Sequence, residues 1–311
     1  MSERKFESIL ITGGAGFLGS RLVRRYLEQG CRVLAVGRHL PPWFSAAYKD
    51  PLVSFAELDI RDAHALAAVI PNHDLVVHTA AVTRSGDASQ LALQEEINIE
   101  GTRNVIRACE LHGLSRLVHV STVSTIEPSP RPASPADEAQ ALRCADGSPG
   151  YRASKCHAEL LVREAAASGL DAVVVNPGFM FGSWQSQYRG AEVIRRPLTR
   201  RVVVCTGGGL SIVHVEDAAD GIVQAAATGR SGERYILSGD NVTFAGIARV
   251  VQRAAGRMGW TVTIPDMGAR WPGHRYAFYS SAKARAEIGF EARAFEEIVR
   301  DYLCWAASQA A

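Results

Sequence analysis

Lysine is nearly missing from this 311-residue chain: 4 Lys (positions 5, 49, 155 and 283) stand among 34 basic residues, and the 30 Arg are scattered. With 32 acidic residues the formal net charge is +2. Bulk electrostatics therefore argue for neither nucleic acid nor an acidic membrane as a partner. No apolar run is long enough to span a bilayer, and the opening MSERKFESILITGG enters a strand without an apolar leader. The six cysteines (31, 109, 144, 156, 205 and 304) form no C-x-x-C pair, which leads to the expectation of free thiols in a reduced, cytoplasmic protein. The nine histidines make no H-x-x-x-H or similar cluster, so no metal site is expected.

What is present is a full core, 47% hydrophobic against 21% charged, enough for one large α/β domain or two lobes sharing a cleft. Short β-branched runs read as strands: SILIT (8–12), RVLAVG (32–37), VSFAELD (53–59), LVVHTA (75–80), RLVHVST (116–122) and DAVVVNPG (171–178). They are apolar on both faces, as strands of a covered parallel sheet must be. Helical patterns at 17–29, 62–70, 90–112 and 151–168 alternate with them. The expected fold class is α/β, a Rossmann-type doubly wound parallel sheet with a smaller, mixed C-terminal substrate lobe. Residues 1–176, rejoined by about 211–238, are assigned to the dinucleotide-binding domain, and 177–210 with 239–311 to the smaller lobe. The segment 127–150 carries five prolines and cannot be strand or helix throughout. It is either a loose surface loop or a cover over whatever the helix after it faces.

The first strand and first helix are joined by Gly13, Gly14, Gly16 and Gly19, with Phe17 and Leu18 between the last two. Such glycines permit a tight turn, close approach of backbone to a pyrophosphate, and close helix–strand packing, while the helix N-terminus offers free N–H groups to phosphate. A carboxylate about twenty residues further on would hold the ribose 2′-hydroxyl of NAD. Here Arg38 stands nineteen residues after Gly19, and its planar fork suits a 2′-phosphate. NADP is thus expected ahead of NAD.

Tyr151 and Lys155 lie four apart in YRASK, on one face of a helix. With TGGAGFLGS, LDIRD (58–62), VVHTAA (76–81), NIEGTRNVIRACE (98–110), NPGFMFG (176–182) and IVHVEDAADG (212–221), the chain resembles the extended short-chain dehydrogenases/reductases. That group includes sugar-nucleotide epimerases and dehydratases, dihydroflavonol reductases and 3β-hydroxysteroid dehydrogenases.

The resemblance implies that Asp59 and Ile60 border the adenine, Ala80 and Ala81 line the cofactor path, and Pro177, Gly178 and Phe179 pack near the nicotinamide. It implies a catalytic triad of Tyr151, Lys155 and Thr122, with Ser121 as the neighbour a one-residue slip would select, and a mainly structural role for Asn98. A homodimer and a small-molecule substrate are implied as well. An ammonium beside a phenol lowers the phenol's pKa, which is what a general acid–base at neutral pH needs.

Two departures narrow the reaction. Dehydratases of the group place an Asp-Glu pair after the catalytic Thr, where this chain has Val123 and Ser124. Many sugar-nucleotide enzymes carry an Arg shortly before the HVED stretch, where this chain has Leu210 and Ser211. The expectation is reduction of a ketone or aldehyde, or the reverse oxidation. An epimerase with tightly held NAD is the alternative, and a non-catalytic NADP-binding regulator the least favoured. Thr83, Arg84, Trp184, Tyr188 and Trp271 are expected near the substrate, and His78, His119 and His214 as core histidines.

Overall fold

A computed structural model describes residues 4–83, 87–129, 131, 133–144, 150–183, 207–257 and 276–308. Seven strands form one sheet in the order β3-β2-β1-β4-β5-β6-β9: β1 (Ser8–Thr12), β2 (Arg32–Gly37), β3 (Val53–Glu57), β4 (Leu75–His78), β5 (Arg116–Val120), β6 (Ala172–Pro177) and β9 (Arg234–Leu237). Every pairing in it is parallel. Alternate residues of one strand enter different cores. Ile9 and Ile11 pack on one face with Val33, Ala35, Val118 and Ile222, whereas Leu10 packs on the other with Val36, Val76, Val105 and Val162. That double burial is why these strands read as continuous apolar runs.

Helices α1 (Gly19–Glu28) and α7 (Val215–Thr228) cover the first face, and α3 (Ala63–Val69), α5 (Gly101–Leu111) and α6 (Tyr151–Ala167) the second. Helix α2 (Pro42–Ala47) was not legible behind its Pro-Pro start. The helix expected at 90–112 is instead α4 (Ala88–Glu95), a π-turn at Glu96–Glu100, and then α5. The π-turn carries Asn98.

The smaller lobe is a mixed sheet centred on β8 (Gly209–His214). It pairs in parallel with β7 (Phe179–Phe181) and β11 (Tyr276–Ala277), and antiparallel with β10 (Asn241–Thr243). Helices α8 (Phe244–Arg257) and α10 (Phe295–Ser308) pack on it through Ile247, Val251, Ile298 and Tyr302, and α9 (Ala282–Ile288) returns to the first core.

Strand order reverses between β1 and β4, and the crevice beyond the carboxyl ends of strands at such a point is where open α/β sheets bind ligands.

Candidate active site

The glycine turn is held by its own backbone: Gly16 N–H donates to Gly13 C=O (2.8 Å), and the N–H groups of Gly13 and Gly14 both donate to Val36 C=O. Gly13 sits at φ 69°, and a Cβ there would press on Thr79 Oγ1 and the Ala80 backbone. A side chain on Gly19 would collide with the Gly13 carbonyl, so helix and turn can close only with glycine at both positions. No side chain caps α1 at Leu18 and no carboxylate lies in its first turn, which leaves that end electropositive.

Beside the turn, a cleft is lined by Gly13, Gly37, Arg38, Asp59, Ile60, Ala80, Ala81 and Val82. It gathers six of the residues expected at the cofactor. Arg38 is exposed at its edge. Asp59 is engaged by a neighbour that the sequence reading left out: Arg61 forks onto its carboxylate, with Nη2 to Oδ2 at 2.8 Å, and also reaches Glu96. Those bonds from Arg61 hold the Asp59 carboxyl below the usual carboxylate range. The uncapped helix end, the space at Gly13 and the polar cleft edge together fit a dinucleotide.

On the far side, β5 ends at Val120 and the backbone turns through Ser121 and Thr122 into one 3-10 turn at Val123–Thr125. Thr122 is half-buried, and its Oγ1 accepts from the Ser124 N–H (3.2 Å). Ser121 is buried, and its hydroxyl is committed to Glu159 Oε2 at 2.6 Å. Tyr151 opens α6, just after Gly150 at φ 138°, and Lys155 follows one turn on, only 2% exposed.

The Lys155 ammonium donates to Val120 C=O (2.7 Å) and lies 3.4 Å from His119 Nε2. Burial pushes its pKa down from 10.5 to about 8, against the opposing pull of Glu159. Asn98 joins the π-turn to both sides of the site. It exchanges hydrogen bonds with the Val82 backbone and donates to Ser154 Oγ on α6 (2.9 Å).

The histidines divide. His78 is buried between Thr12 Oγ1 (2.7 Å) and Thr102 Oγ1 (2.9 Å), and His214 meets Asp301 (3.0 Å). His119 lies against Lys155 instead, and its Nδ1 has no hydrogen-bond partner. Gly178, after β6, donates to Leu237 C=O and is too close to Ser211 C=O for a side chain. Phe179 is half-buried and Thr83 is exposed beyond β4. Arg84, Trp184, Tyr188 and Trp271 lie outside the described residues.

The expectation of six free thiols is wrong for one pair. Cys144 and Cys156 are joined as a disulfide, with Cα atoms 5.2 Å apart, while Cys31, Cys109 and Cys304 are free and Cys205 lies outside the described residues. No spacing rule signals the pair, because it forms where the Pro-rich loop folds back on the residue after Lys155.

The described part of the loop, through residue 144, is fastened rather than loose. Ile126 bridges Leu142, Ala136 N–H donates to Phe278 C=O, Ser280 N–H donates to Ala136 C=O, and the Glu138 carboxylate accepts from Ile236 N–H. Among the described residues no cluster of His, Cys, Asp and Glu could hold a metal ion, and no helix is long and apolar enough to cross a membrane.

A glycine turn with a polar cleft beside it, a Tyr-x-x-x-Lys helix and a strand-end hydroxyl are the marks of a nicotinamide-dependent enzyme class. Residues 9–238 match the NAD dependent epimerase/dehydratase family, and the chain belongs to that family, within the extended short-chain dehydrogenases/reductases. It is 29% identical to a 4-hydroxy-2-methyl-3-oxo-4-farnesyl-3,4-dihydroquinoline-1-oxide ketoreductase of Stigmatella aurantiaca, over 91% of each chain. It is 31% identical to a dTDP-glucose 4,6-dehydratase of Streptomyces antibioticus, over 92% of this chain and 88% of that one. The UDP-glucose 4-epimerase of Thermotoga maritima shares the fold, with a TM-score of 0.80 at 21% identity, covering 98% of this chain and 100% of that one. The protein is thus an NAD(P)-dependent enzyme of a family that includes reductases, dehydratases and epimerases.

Proposed function

We propose that this enzyme is an NADP-dependent reductase of a ketone or aldehyde on a small metabolite, or runs the reverse oxidation. The observation that carries the reading is Arg38 at the edge of the adenosine-side cleft, with glycine and arginine where an NAD-type carboxylate would follow β2. An arginine there supports a 2′-phosphate partner.

Elimination of water is disfavoured by the residue after Thr122: Val123 is buried and apolar, so no carboxylate stands ready at that position. Nucleotide-sugar binding is disfavoured at Leu210 and Ser211, the latter buried and bonded to Tyr279 N–H. The ketoreductase relative from Stigmatella agrees with the reading but does not decide it.

In this reading Tyr151 holds and returns the proton on the substrate oxygen. The nearby Lys155 ammonium favours the phenolate and orients the nicotinamide ribose. Thr122 donates to the oxygen as charge builds there. The commitment of Ser121 to Glu159 supports Thr122 as the reacting hydroxyl. When bound, the nicotinamide supplies or accepts the hydride.

The test is a titration of NADPH and NADH against wild type and Arg38→Asp, followed by an NADPH-oxidation screen across ketones, aldehydes and nucleotide sugars. The expected result is tighter NADPH binding, inverted by Arg38→Asp, and carbonyl-dependent oxidation that Tyr151→Phe abolishes. Equal affinities in wild type would remove the cofactor argument. NAD released only on denaturation would replace the reductase with an epimerase.

A further inference from the structure

The catalytic helix buries a second charge that the mechanism does not use. Glu159 lies one turn beyond Lys155 on α6 and is fully buried. Its carboxylate lies within hydrogen-bond reach of four donor groups on three other elements: Ser121 Oγ (2.6 Å) and Thr125 Oγ1 (2.9 Å) of the β5 turn, Asn176 Nδ2 (2.9 Å) of β6, and Arg234 Nη1 (3.4 Å) of β9.

Two of these donors grip the turn beyond the carboxylate. Asn176 Nδ2 also donates to Thr122 C=O (3.2 Å), and Thr125 Oγ1 lies 2.8 Å from the same carbonyl. The Thr125 hydroxyl has one proton, so it serves either Glu159 or Thr122 C=O, and the Asn176 amide, with two N–H groups for three acceptors, shares one of them between Thr122 C=O and Thr125 Oγ1 at 3.2 Å. Arg234 carries the link onward to Glu138 C=O and Gln140 C=O of the Pro-rich loop.

We propose that Glu159 is a positioning residue of the enzyme: its carboxylate clamps the Thr122 turn, β6 and β9 to the catalytic helix, one turn from Lys155. The inference rests on the assignment of Tyr151 and Lys155 as the catalytic pair and extends it to what holds that pair in register with the hydroxyl. Electrostatics gives the clamp a signature that a merely structural residue would lack. Lys155 is faced by His119 and Val120 C=O on β5, by His78 on β4, and by Glu159 on its own helix, where Tyr151 stands one turn before it. Arg234 neutralises Glu159 from β9. Glu159 is the anion in this set, and it favours the ammonium against burial.

The test measures NADPH affinity by fluorescence as a function of pH, which needs no substrate. Wild-type affinity weakens as pH rises past the Lys155 transition near 8. Glu159→Gln moves that transition to lower pH, Glu159→Asp restores it, and Arg234→Gln moves it to higher pH. With phenanthrenequinone as a carbonyl probe, Glu159→Gln also loses about tenfold or more in turnover, because the hydroxyl of Thr122 is no longer fixed.

A Glu159→Gln variant with the wild-type transition and turnover overturns the proposal. If that variant does not fold, an unmoved transition in Arg234→Gln overturns it equally. Tyr151→Phe, run alongside, separates the two levels: wild-type turnover there refutes the catalytic assignment itself.

Discussion

Lys155 carries a stability cost that its removal should recover. The ammonium is almost fully buried, and its pKa falls from 10.5 to about 8, chiefly by desolvation. That depression corresponds to roughly 3 kcal/mol held against the folded state at neutral pH. Lys155→Met keeps the length of the side chain and removes the charge. It also strips Val120 C=O of its donor, which gives back about 1 kcal/mol.

The net expectation is a variant about 2 kcal/mol more stable at pH 7 and unable to turn over. For a 311-residue chain that is a rise of about 3 °C in Tm. The sign of the pH dependence is fixed. Between about pH 8 and 10.5 the unfolded chain holds a proton on Lys155 that the folded chain has shed, so wild-type stability rises with pH across that window. The advantage of Lys155→Met should therefore shrink to nothing, or reverse, by the top of it. Denaturant unfolding of both proteins across the window is the assay. A difference that stays flat with pH, or a variant destabilised by more than about 2 kcal/mol at pH 7, refutes the reasoning.

Two further outcomes follow from groups on either side of this lysine. Denatured protein should show two fewer thiols before reduction than after it, and Cys144→Ser should lower stability by about 3 kcal/mol, the loop-closure value for a separation of 12 residues; equal thiol counts would dismiss the bridge. Burial drives the His78 pKa from 6.5 to about 3, so its contribution is complete above pH 6.5 and is lost as pH falls toward 3. His78→Gln should accordingly lose about 3 kcal/mol less than wild type between pH 7 and about pH 4 in urea unfolding, and parallel curves would count against it.

The elements that position the cofactor were legible because each rests on local chemistry. β2 runs from Arg32 to Gly37 as its apolar run predicts, and the glycine turn, Arg38, Asp59 and Ile60 meet in one cleft because a parallel sheet gathers its carboxyl ends. Strand ends were read too long where the backbone turns away: Ser121 and Thr122 leave β5 for a 3-10 turn, and Thr79 and Ala80 leave β4. The π-turn at Asn98 escaped because the chain stays helical on both sides of it, and a single one-residue shift in apolar spacing is too short a signal to mark a break.

The polar interior escaped for a different reason. Glu159 and Arg234 are 75 residues apart, and Cys144 lies in the Pro-rich loop while Cys156 lies inside α6. Sequence shows that a buried carboxylate needs partners, but only the fold says which ones.

The fastening of the Pro-rich loop has an engineering consequence. The segment from Glu127 to Cys144 is tied at Phe278 and Ser280 to the smaller lobe, at Arg234 and Ile236 to the main sheet, and at Cys156 to the helix that bears Lys155. A graft that replaced this loop to alter substrate choice would also cut the ties of Arg234, and through it unsettle Glu159. Loop, catalytic helix and main sheet share one foundation here, so a replacement loop that leaves Glu159 undisturbed must restore the partners that Glu138, Gln140 and Cys144 now supply.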